Sequence, residues 1–277
     1  MPVILSPGTG VTGTQTFSGN FMKLLANSSI ADPVVLDIPN NLLDDVQVNA
    51  EYVAYAVNYV SRSINMQWAA KYWPSTRSTV SDFIAVSPDI KGTNIADAVA
   101  GLTGILPVAP ALLQQEDTST LIATLRANGG DSALVPTTTI YSSSDEIVQP
   151  QSGNQASGFF LDANNIGASN SQVQTVCPNQ AAGGNFTHEG MLYNSLAFAL
   201  AMDAFTNPGP GQVSRLDLPT VCAAALAPGL DATDKSTTDS TITIAAGNVL
   251  TYQNGVTKEP NIKAYAAKDT PTMKSAT

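Results

Sequence analysis

The chain contains one histidine and two cysteines among its 277 residues. A zinc site built from cysteine and histidine needs three or four such ligands, so a site of that kind is nearly excluded. Carboxylate ligands are not excluded by this count. However, Asp231, Asp234 and Asp239 are loosely spaced and lack the alternate-residue pattern of a calcium loop. We therefore expect them to form a solvated acidic loop.

Charge is also scarce, since only 12% of the residues are charged. The chain has twelve Lys and Arg and twenty-two Asp and Glu, which gives a formal net charge of −10. The sequence contains no run of basic residues. Nucleic acids and anionic membrane surfaces are therefore poor partners. A surface made mostly of uncharged polar residues is more typical of secreted proteins.

No hydrophobic run reaches the roughly eighteen residues that a membrane-spanning helix needs. The start, residues 1–5, also lacks the charged region and cleavage site of a signal peptide, so taken literally the chain stays where it is made. A hydrophobic fraction of 43% is enough for a buried core, and neither a repeat nor a dividing linker interrupts the chain. We expect a single domain over residues 1–277, with Thr, Ser and Asp enriched after Gly229.

Short apolar runs alternate with helical patterns, which is typical of an α/β fold with a mainly parallel sheet. The predicted strands are Val3–Ser6, Val34–Ile38, Phe83–Val86 and Thr137–Tyr141. Each strand ends in residues typical of turns, and functional loops of such sheets lie beyond the carboxyl ends of the strands. We therefore look for chemistry in these four turns.

Two segments have helical periodicity. In residues 46–73 the apolar positions recur every three or four residues, at Val53, Val57, Val60, Ile64, Trp68 and Tyr72. Pro74 ends this pattern. A second helix is predicted over Asp117–Ala127, closed by Gly129 and Gly130.

The first candidate functional loop is the glycine-rich turn after the first strand, around Thr9. Its glycines allow backbone N–H groups to point into a cavity, and the Thr9 hydroxyl adds a donor that could hold an oxyanion. The spacing is not that of a phosphate-binding loop, because the G-x-G-x-x-G pattern and the lysine are missing. An ordinary tight turn is an equally good interpretation.

Asp145 and His188 are the second and third candidates. Asp145 follows a predicted strand, where an aspartate can orient an imidazole, although an aspartate alone more often caps a helix or turn. A single histidine such as His188 is more often structural or exposed than catalytic. The order favours catalysis, because an aspartate after a strand followed by a histidine is the last part of the Ser, Asp, His order of α/β-hydrolases.

Several stretches resemble the lipase B family of serine ester hydrolases. They are Leu5–Gly10, Asp45–Tyr52, Gln67–Trp68, Pro74–Ser78, Ser87–Thr93, Gln114–Gln115 and Val135–Gln151. The resemblance covers about the first two hundred residues and is weak from residue 229 to 277. It implies an α/β-hydrolase fold with a mainly parallel central sheet flanked by helices. It further implies a secreted enzyme, acting as a monomer on triacylglycerols and other esters without a cofactor.

The resemblance also implies a role for individual residues. Thr9 matches the oxyanion-hole threonine, and Asp145 and His188 match the acid and base of the triad. The residues that match the substrate pocket are Asp89, Gln115, Ile147 and Val148. Cys177 and Cys222 match a disulfide that brackets the histidine. The sequons at Asn27 and Asn185 are consistent with secretion, although such triplets are common by chance.

The nucleophile is where the chain departs from the family. No G-x-S-x-G motif occurs, and the matched flanks Glu51-Tyr52 and Gln67-Trp68 are about fifteen residues too close, the length of a strand and its turn. Ser61 and Ser63 are the serines in this interval. Tyr59, two positions before Ser61, is too large for a nucleophile turn and excludes Ser61. Ser63 has Ser61 and Asn65 at these positions, a poor match, so it stays open as a nucleophile, with a surface helix serine as the favoured alternative.

We therefore expect one long or kinked helix over residues 46–73 in place of the catalytic strand, with a gap between the strands Val3–Ser6 and Phe83–Val86. Two functions remain open. One is a lipase or esterase whose catalytic segment is missing from this sequence. The other is an inactive homologue that binds lipid or ester ligands.

Overall fold

The computed structural model describes residues 1–26, 28–57, 64–94 and 107–271. Its strands are β1 (Pro2–Leu5), β2 (Asp32–Val35), β3 (Phe83–Val86), β4 (Thr137–Tyr141) and β5 (Ala168–Gln172). The helices before β4 are α1 (Gly13–Phe17), α2 (Phe21–Leu25), α3 (Val46–Val57), α4 (Ile64–Tyr72), α5 (Pro110–Gln114) and α6 (Thr120–Arg126). Those after β5 are α7 (Val173–Val176), α8 (Ser195–Thr206), α9 (Leu218–Ala223), α10 (Ala232–Asp239) and α11 (Thr241–Thr251).

The strands form two parallel sheets. β1 pairs with β2, with Pro2 opposite Asp32. β4 lies between β3 and β5, and Thr137 is opposite both Phe83 and Ala168. Within the described residues no strand joins β1 to β3, so the two sheets are separate. Parallel strands with intervening helices confirm the expected α/β class.

The predicted strands agree with the structure to different degrees. β3 and β4 have the predicted bounds, and β1 is shifted by one residue. The expectation for the second strand was wrong at both bounds, because β2 begins at Asp32 and stops at Val35, before a 3-10 turn that begins at Pro39. β5 was not predicted, because its sequence ASNSQ lacks the β-branched and aromatic residues that signal a strand.

β4 is completely buried although it contains three threonines. Thr137 Oγ1 donates to the Val135 carbonyl at 2.7 Å, and Thr139 Oγ1 donates to Asn170 Oδ1 at 3.0 Å. Thr138 Oγ1 accepts from the Gly211 N–H at 2.7 Å. A buried hydroxyl costs little when it is hydrogen-bonded, so this polar strand can occupy the middle of its sheet.

Apolar clusters cover both faces of the strands. Val53, Val57 and Met66 from α3 and α4 pack in one cluster with Phe83 and Ala85 of β3. A second cluster contains Val3 and Leu5 of β1 with Phe17, Phe21 and Ala201, and Ile84 and Val86 of β3 pack against it. Since side chains alternate between the faces of a strand, these clusters lie on opposite sides of the sheet layer. β1 and β3 therefore belong to one layer.

The helix expected over residues 46–73 is described as two helices, α3 and α4. The segment between them, which includes Val60, Ser61 and Ser63, lies outside the described residues. α4 ends at Tyr72, just before Pro74, as the sequence predicts. The second predicted helix is α6, which begins later than expected because the Ser119 side chain caps it by accepting from the Ile122 N–H.

The expected acidic loop was wrong. Asp231 caps the N-terminus of α10, accepting from the N–H groups of Thr233 and Asp234, and Asp234 and Asp239 lie on that helix. The Asp234 side chain accepts in return from the Asp231 N–H at 2.8 Å, which completes a capping box. Lys23 Nζ lies 2.6 Å from Asp234 and ties the helix to α2.

None of the helices in the described ranges is long and apolar enough to cross a membrane. The same ranges contain no group of three or more His, Cys, Asp or Glu side chains placed to hold a metal ion.

Candidate active site

The loops after β1, β3 and β4 meet at one cavity of about 460 Å³ with a mainly apolar lining. Six residues that the sequence singled out line it: Thr9, Asp89, Gln115, Ile147, Val148 and His188. The seventh, Asp145, lies directly behind His188. Because the carboxyl ends of parallel strands share one edge, residues distant in sequence are brought together here.

Asp145 and His188 are in direct contact, with Asp145 Oδ2 2.9 Å from His188 Nδ1. The Asp145 side chain is fully buried, whereas that of His188 is 30% exposed and lines the cavity. The contact leaves Nε2 as the free ring nitrogen. This is the geometry in which a carboxylate fixes the orientation and tautomer of an imidazole.

The turn after β4 positions Asp145. Its Oδ1 accepts from the N–H groups of Ile147 and Val148 at 2.9 and 2.8 Å, so the side chain also caps the turn, as the alternative interpretation of the sequence held. Ser142 Oγ accepts from the Ser144 N–H at 3.1 Å earlier in the same turn. One carboxylate oxygen thus anchors the loop, and the other is left for His188.

His188 is held from several sides. Its backbone N–H donates to Glu146 Oε2 at 3.1 Å, and it directly precedes the 3-10 turn Glu189–Tyr193. The structure contains the disulfide Cys177–Cys222 that the resemblance implied, with the two Cα atoms 5.3 Å apart. This disulfide joins the end of α7 to α9 and encloses the segment that carries His188.

Each residue of the pair shifts the pKa of the other. Burial disfavours the charged forms, but the mutual attraction and hydrogen bond outweigh it. The pKa of His188 is raised to about 9, with smaller contributions from Asp89 and Glu189. The pKa of Asp145 is lowered, and the N–H groups of Val148 and Ile147 add to this effect. Each group of the pair thus favours the charged form of the other.

Thr9 is oriented by Gln115, whose Nε2 donates to Thr9 Oγ1 at 2.8 Å. Because the hydroxyl oxygen accepts this bond, its own hydrogen remains available to a ligand in the cavity. The loop turns at Gly10, where φ is +93° and a Cβ would lie 3.1 Å from that of Ala245. Asn248 of α11 also donates to the Gly10 carbonyl at 2.8 Å. Glycine here permits both the turn and the close approach of α11.

Asp89 lies at the same edge, after β3, and lines the cavity. Its burial raises its pKa to about 6, although the positive charge of His188 acts in the opposite direction. Asp89 therefore changes its charge at mildly acidic pH, unlike Asp145. Ile147 and Val148 complete this side of the cavity with apolar surface.

Sequence reasoning did not single out four polar residues that line the cavity. Each has a buried side-chain atom without a hydrogen-bond partner in the described part of the chain: Ser6, Asn65, Ser87 and Glu189. Ser87 directly follows β3, is 4% exposed and has a φ of +48°. Its position directly after a predicted strand was a signal for a functional residue, but Asp89, two residues later, was selected from the sequence instead. Ser61 and Ser63 lie outside the described residues.

Comparisons with known proteins agree with this geometry. No protein-family profile matches the chain. Lipase B from Pseudozyma antarctica is 36% identical over 193 residues, which is 64% of this chain and 54% of that protein. The crystal structure of Aspergillus fumigatus lipase B superposes with a TM-score of 0.88 and 47% identity, covering 96% of this chain and 66% of that one.

The chain thus spans about half to two thirds of the length of these relatives. The parallel sheets, the flanking helices and the close superposition fit an α/β-hydrolase fold. On the sequence identity and the shared fold, the chain belongs to a lipase B-like family.

Proposed function

We propose that the cavity is the active site of a carboxylic ester hydrolase of the lipase type, with Asp145 as the acid and His188 as the base of a triad. The observation that carries the proposal is the 2.9 Å contact of these side chains at the edge of an apolar cavity. An apolar cavity with a few convergent polar groups suits the acyl chain and carbonyl of an ester. Triacylglycerols and simpler esters are the substrates we propose.

The chemistry follows from the positions of the donors. In acyl transfer, a serine hydroxyl attacks the ester carbonyl while Nε2 of His188 takes its proton, and Asp145 stabilises the imidazolium. The Thr9 hydroxyl and neighbouring N–H groups would hold the oxyanion. The imidazolium returns the proton to the alcohol oxygen as its bond to the carbonyl carbon breaks, so the alcohol leaves and an acyl-serine remains. Water then releases the acid from the acyl-serine by the same route. Ile147 and Val148 would contact the acyl chain, with Asp89 and Gln115 as its polar neighbours, and no cofactor enters.

The serine is the missing participant. No G-x-S-x-G motif occurs in the sequence, and no strand in the described ranges pairs with both β1 and β3. Ser87 is a poor candidate, because Pro88 follows it and has no N–H for the oxyanion. We infer that this polypeptide lacks the nucleophile-bearing central strand. A binding protein for lipid or ester ligands, built on the same cavity, is therefore the second candidate function.

The rest of the proposal concerns the whole protein. We infer a single domain over residues 1–277, including the region from 229 to 277, because α11 packs on Gly10 of the first loop. The disulfide supports secretion, since such bonds persist in oxidising compartments. We propose that the protein acts as a monomer without nucleic-acid partners, a prediction that sedimentation equilibrium would test.

The test of function is hydrolysis of a short-chain p-nitrophenyl ester. We would compare the chain with a version in which a hydrophobic strand and a glycine-flanked serine are inserted between Ser63 and Gln67. We expect the inserted version to exceed the original by up to about 10⁶ in kcat. The matched control is the inserted version carrying His188→Ala, which should lose this gain. Equal rates for the inserted version with and without His188 would contradict the proposed base.

A further inference from the structure

The cavity extends from Asp145 and His188 into the space between β1 and β3. Consecutive residues of both strands line it: Val3, Ile4, Leu5 and Ser6 from the first, and Phe83, Ile84, Ala85, Val86 and Ser87 from the second. Successive side chains of a strand point to opposite faces, so a cavity on one face would contact only every second residue. This part of the cavity therefore runs along the backbone edges of the two strands. We call it the inter-strand slot.

The hydrogen bonds show which backbone groups face the slot. The Leu5 carbonyl accepts from the Leu36 N–H at 3.0 Å, so the backbone N–H and C=O groups of the odd-numbered residues of β1 face β2. The N–H groups of Phe83 and Ser87 face β4, away from the slot, and donate to the carbonyls of Pro136 and Ile140. Since the direction alternates along a parallel strand, the N–H and C=O groups of the intervening residues face the slot. These residues are Ile4 and Ser6 on one edge and Ile84 and Val86 on the other.

Two polar side chains also line the end of the slot. Ser6 and Ser87 follow β1 and β3, and the Oγ atom of each is buried without a hydrogen-bond partner among the described residues. Buried polar groups without partners cost free energy. The Ser6 and Ser87 hydroxyls, together with two strand edges whose N–H and C=O groups face the slot, therefore favour an occupant that can hydrogen-bond along its length. An acyl chain fills apolar space but offers no donors or acceptors to these edges.

We propose that the slot binds an extended peptide segment, which pairs with β1 on one side and β3 on the other. A peptide in the strand conformation presents N–H and C=O groups to both edges, as in recognition by strand addition. β1 and β3 have four residues each, so the paired part is about this length. Apolar clusters containing Phe17 and Met66 cover the two faces, so the segment carries apolar side chains on both sides.

The test uses a fluorescein-labelled peptide with a central run of about six alternating valine and alanine residues and two lysines for solubility. Its binding to the full chain is followed by fluorescence anisotropy. The matched control peptide is N-methylated at every second central amide, which removes the donors for one edge and keeps the apolar surface. We expect methylation to weaken binding by at least about tenfold.

A matched pair of protein variants tests the same edge from the other side. Ile84→Pro removes an N–H that faces the slot, and the bonds of β3 to β4, made by Phe83, Ala85 and Ser87, are retained. Ile84→Val keeps the donor and serves as the control. We expect the proline variant alone to bind the peptide at least about tenfold more weakly. Its melting curve shows whether it is folded, and the methylated peptide tests pairing without any change in the protein.

Equal binding of the methylated and unmethylated peptides would overturn the proposal, as would no binding of either one. Displacement of the peptide by laurate at equal affinity would also overturn it, because the alkyl chain of laurate cannot hydrogen-bond along the two strand edges. No ester is used, so the result is independent of the function proposed for Asp145 and His188.

Discussion

At the scale of single residues, the site depends on how one aspartate divides its two oxygens. Asp145 Oδ1 accepts two backbone N–H groups, and Oδ2 contacts His188. The same residue is therefore a turn cap and an imidazole partner, which the sequence offered as alternatives. Both are satisfied because a carboxylate has acceptor sites for several donors.

The chain's one histidine makes the pair measurable by NMR. We expect the ring proton signal of His188 to titrate with a midpoint near pH 9, well above the usual value. Asp145→Asn removes the main favourable charge, so the midpoint should fall to 6.5 or below as burial of the ring takes over. Glu51→Gln, in a surface pair with Lys263, is the control and should leave it unchanged. A His188 titration midpoint that is unchanged by Asp145→Asn would show that the pair does not form in solution.

The same shift sets the sign of the stability change with pH. The pKa of His188 is higher in the folded state than in the unfolded chain. Its contribution is therefore complete below about pH 6.5 and is lost as the pH rises through about 9. The contribution of Asp145, whose pKa is lowered, is present above its usual value and is lost in acid. Urea unfolding at several pH values, with Asp145→Asn as reference, measures both changes.

At the scale of elements, β4 shows how polar residues can form a central strand. Thr138 is fully buried, and its hydroxyl is the acceptor for the Gly211 N–H. Thr138→Val keeps the shape but leaves that N–H without a partner, so we expect a loss of about 1–3 kcal/mol in the free energy of unfolding. Thr138→Ser keeps the acceptor and should cost less. Equal losses for both variants would show that the methyl group matters rather than the hydrogen bond.

The disulfide is the second stabilising feature at this scale. It closes a loop with a sequence separation of 45 between Cys177 and Cys222. Replacing both cysteines with alanine should lower the free energy of unfolding by about 3–4 kcal/mol, largely because the unfolded chain gains freedom. Urea unfolding of the oxidised protein, the double variant and the reduced protein measures this. Unchanged stability on reduction would mean that the bond does not constrain the chain.

The sequence predicted those strands and helices whose own residues have a typical local pattern. β3 and β4 were predicted with their bounds because apolar or β-branched runs end there in turn residues. β5 was missed because its polar residues give no local signal for a strand, and it forms by pairing with β4. The helix α10 was taken for a loop, since the capping role of Asp231 depends on residues that follow it.

The candidate site shows the same division. The order of Asp145 and His188 suggested their pairing, and both are brought to one cavity edge. The Oγ atoms of Ser6 and Ser87 have no hydrogen-bond partner in the part of the chain that the structure describes. The sequence could not predict this, because it depends on how β1 and β3 are arranged. A resemblance also gave the cysteine pairing, which spacing alone would have left open.

At the scale of the whole molecule, the structure fits an α/β-hydrolase fold in which, among the described residues, no strand pairs with both β1 and β3. The residues after both strands still meet at the cavity, so the layout of the site does not require a strand between them. A continuous sheet would pair the slot-facing groups, and the divided one leaves them to solvent or to an occupant. We therefore expect the chain to be less stable than relatives with a complete sheet.

We propose that this chain carries the acid and base of a serine hydrolase without its nucleophile. The most direct test is intact mass spectrometry after treatment with a p-nitrophenyl alkylphosphonate, which labels activated serines. The version with the inserted strand and serine is the positive control and should gain one phosphonyl group. We predict that the original chain gains none. Stoichiometric labelling of the original chain, at Ser63, Ser87 or any other serine, and its loss in His188→Ala, would contradict the account.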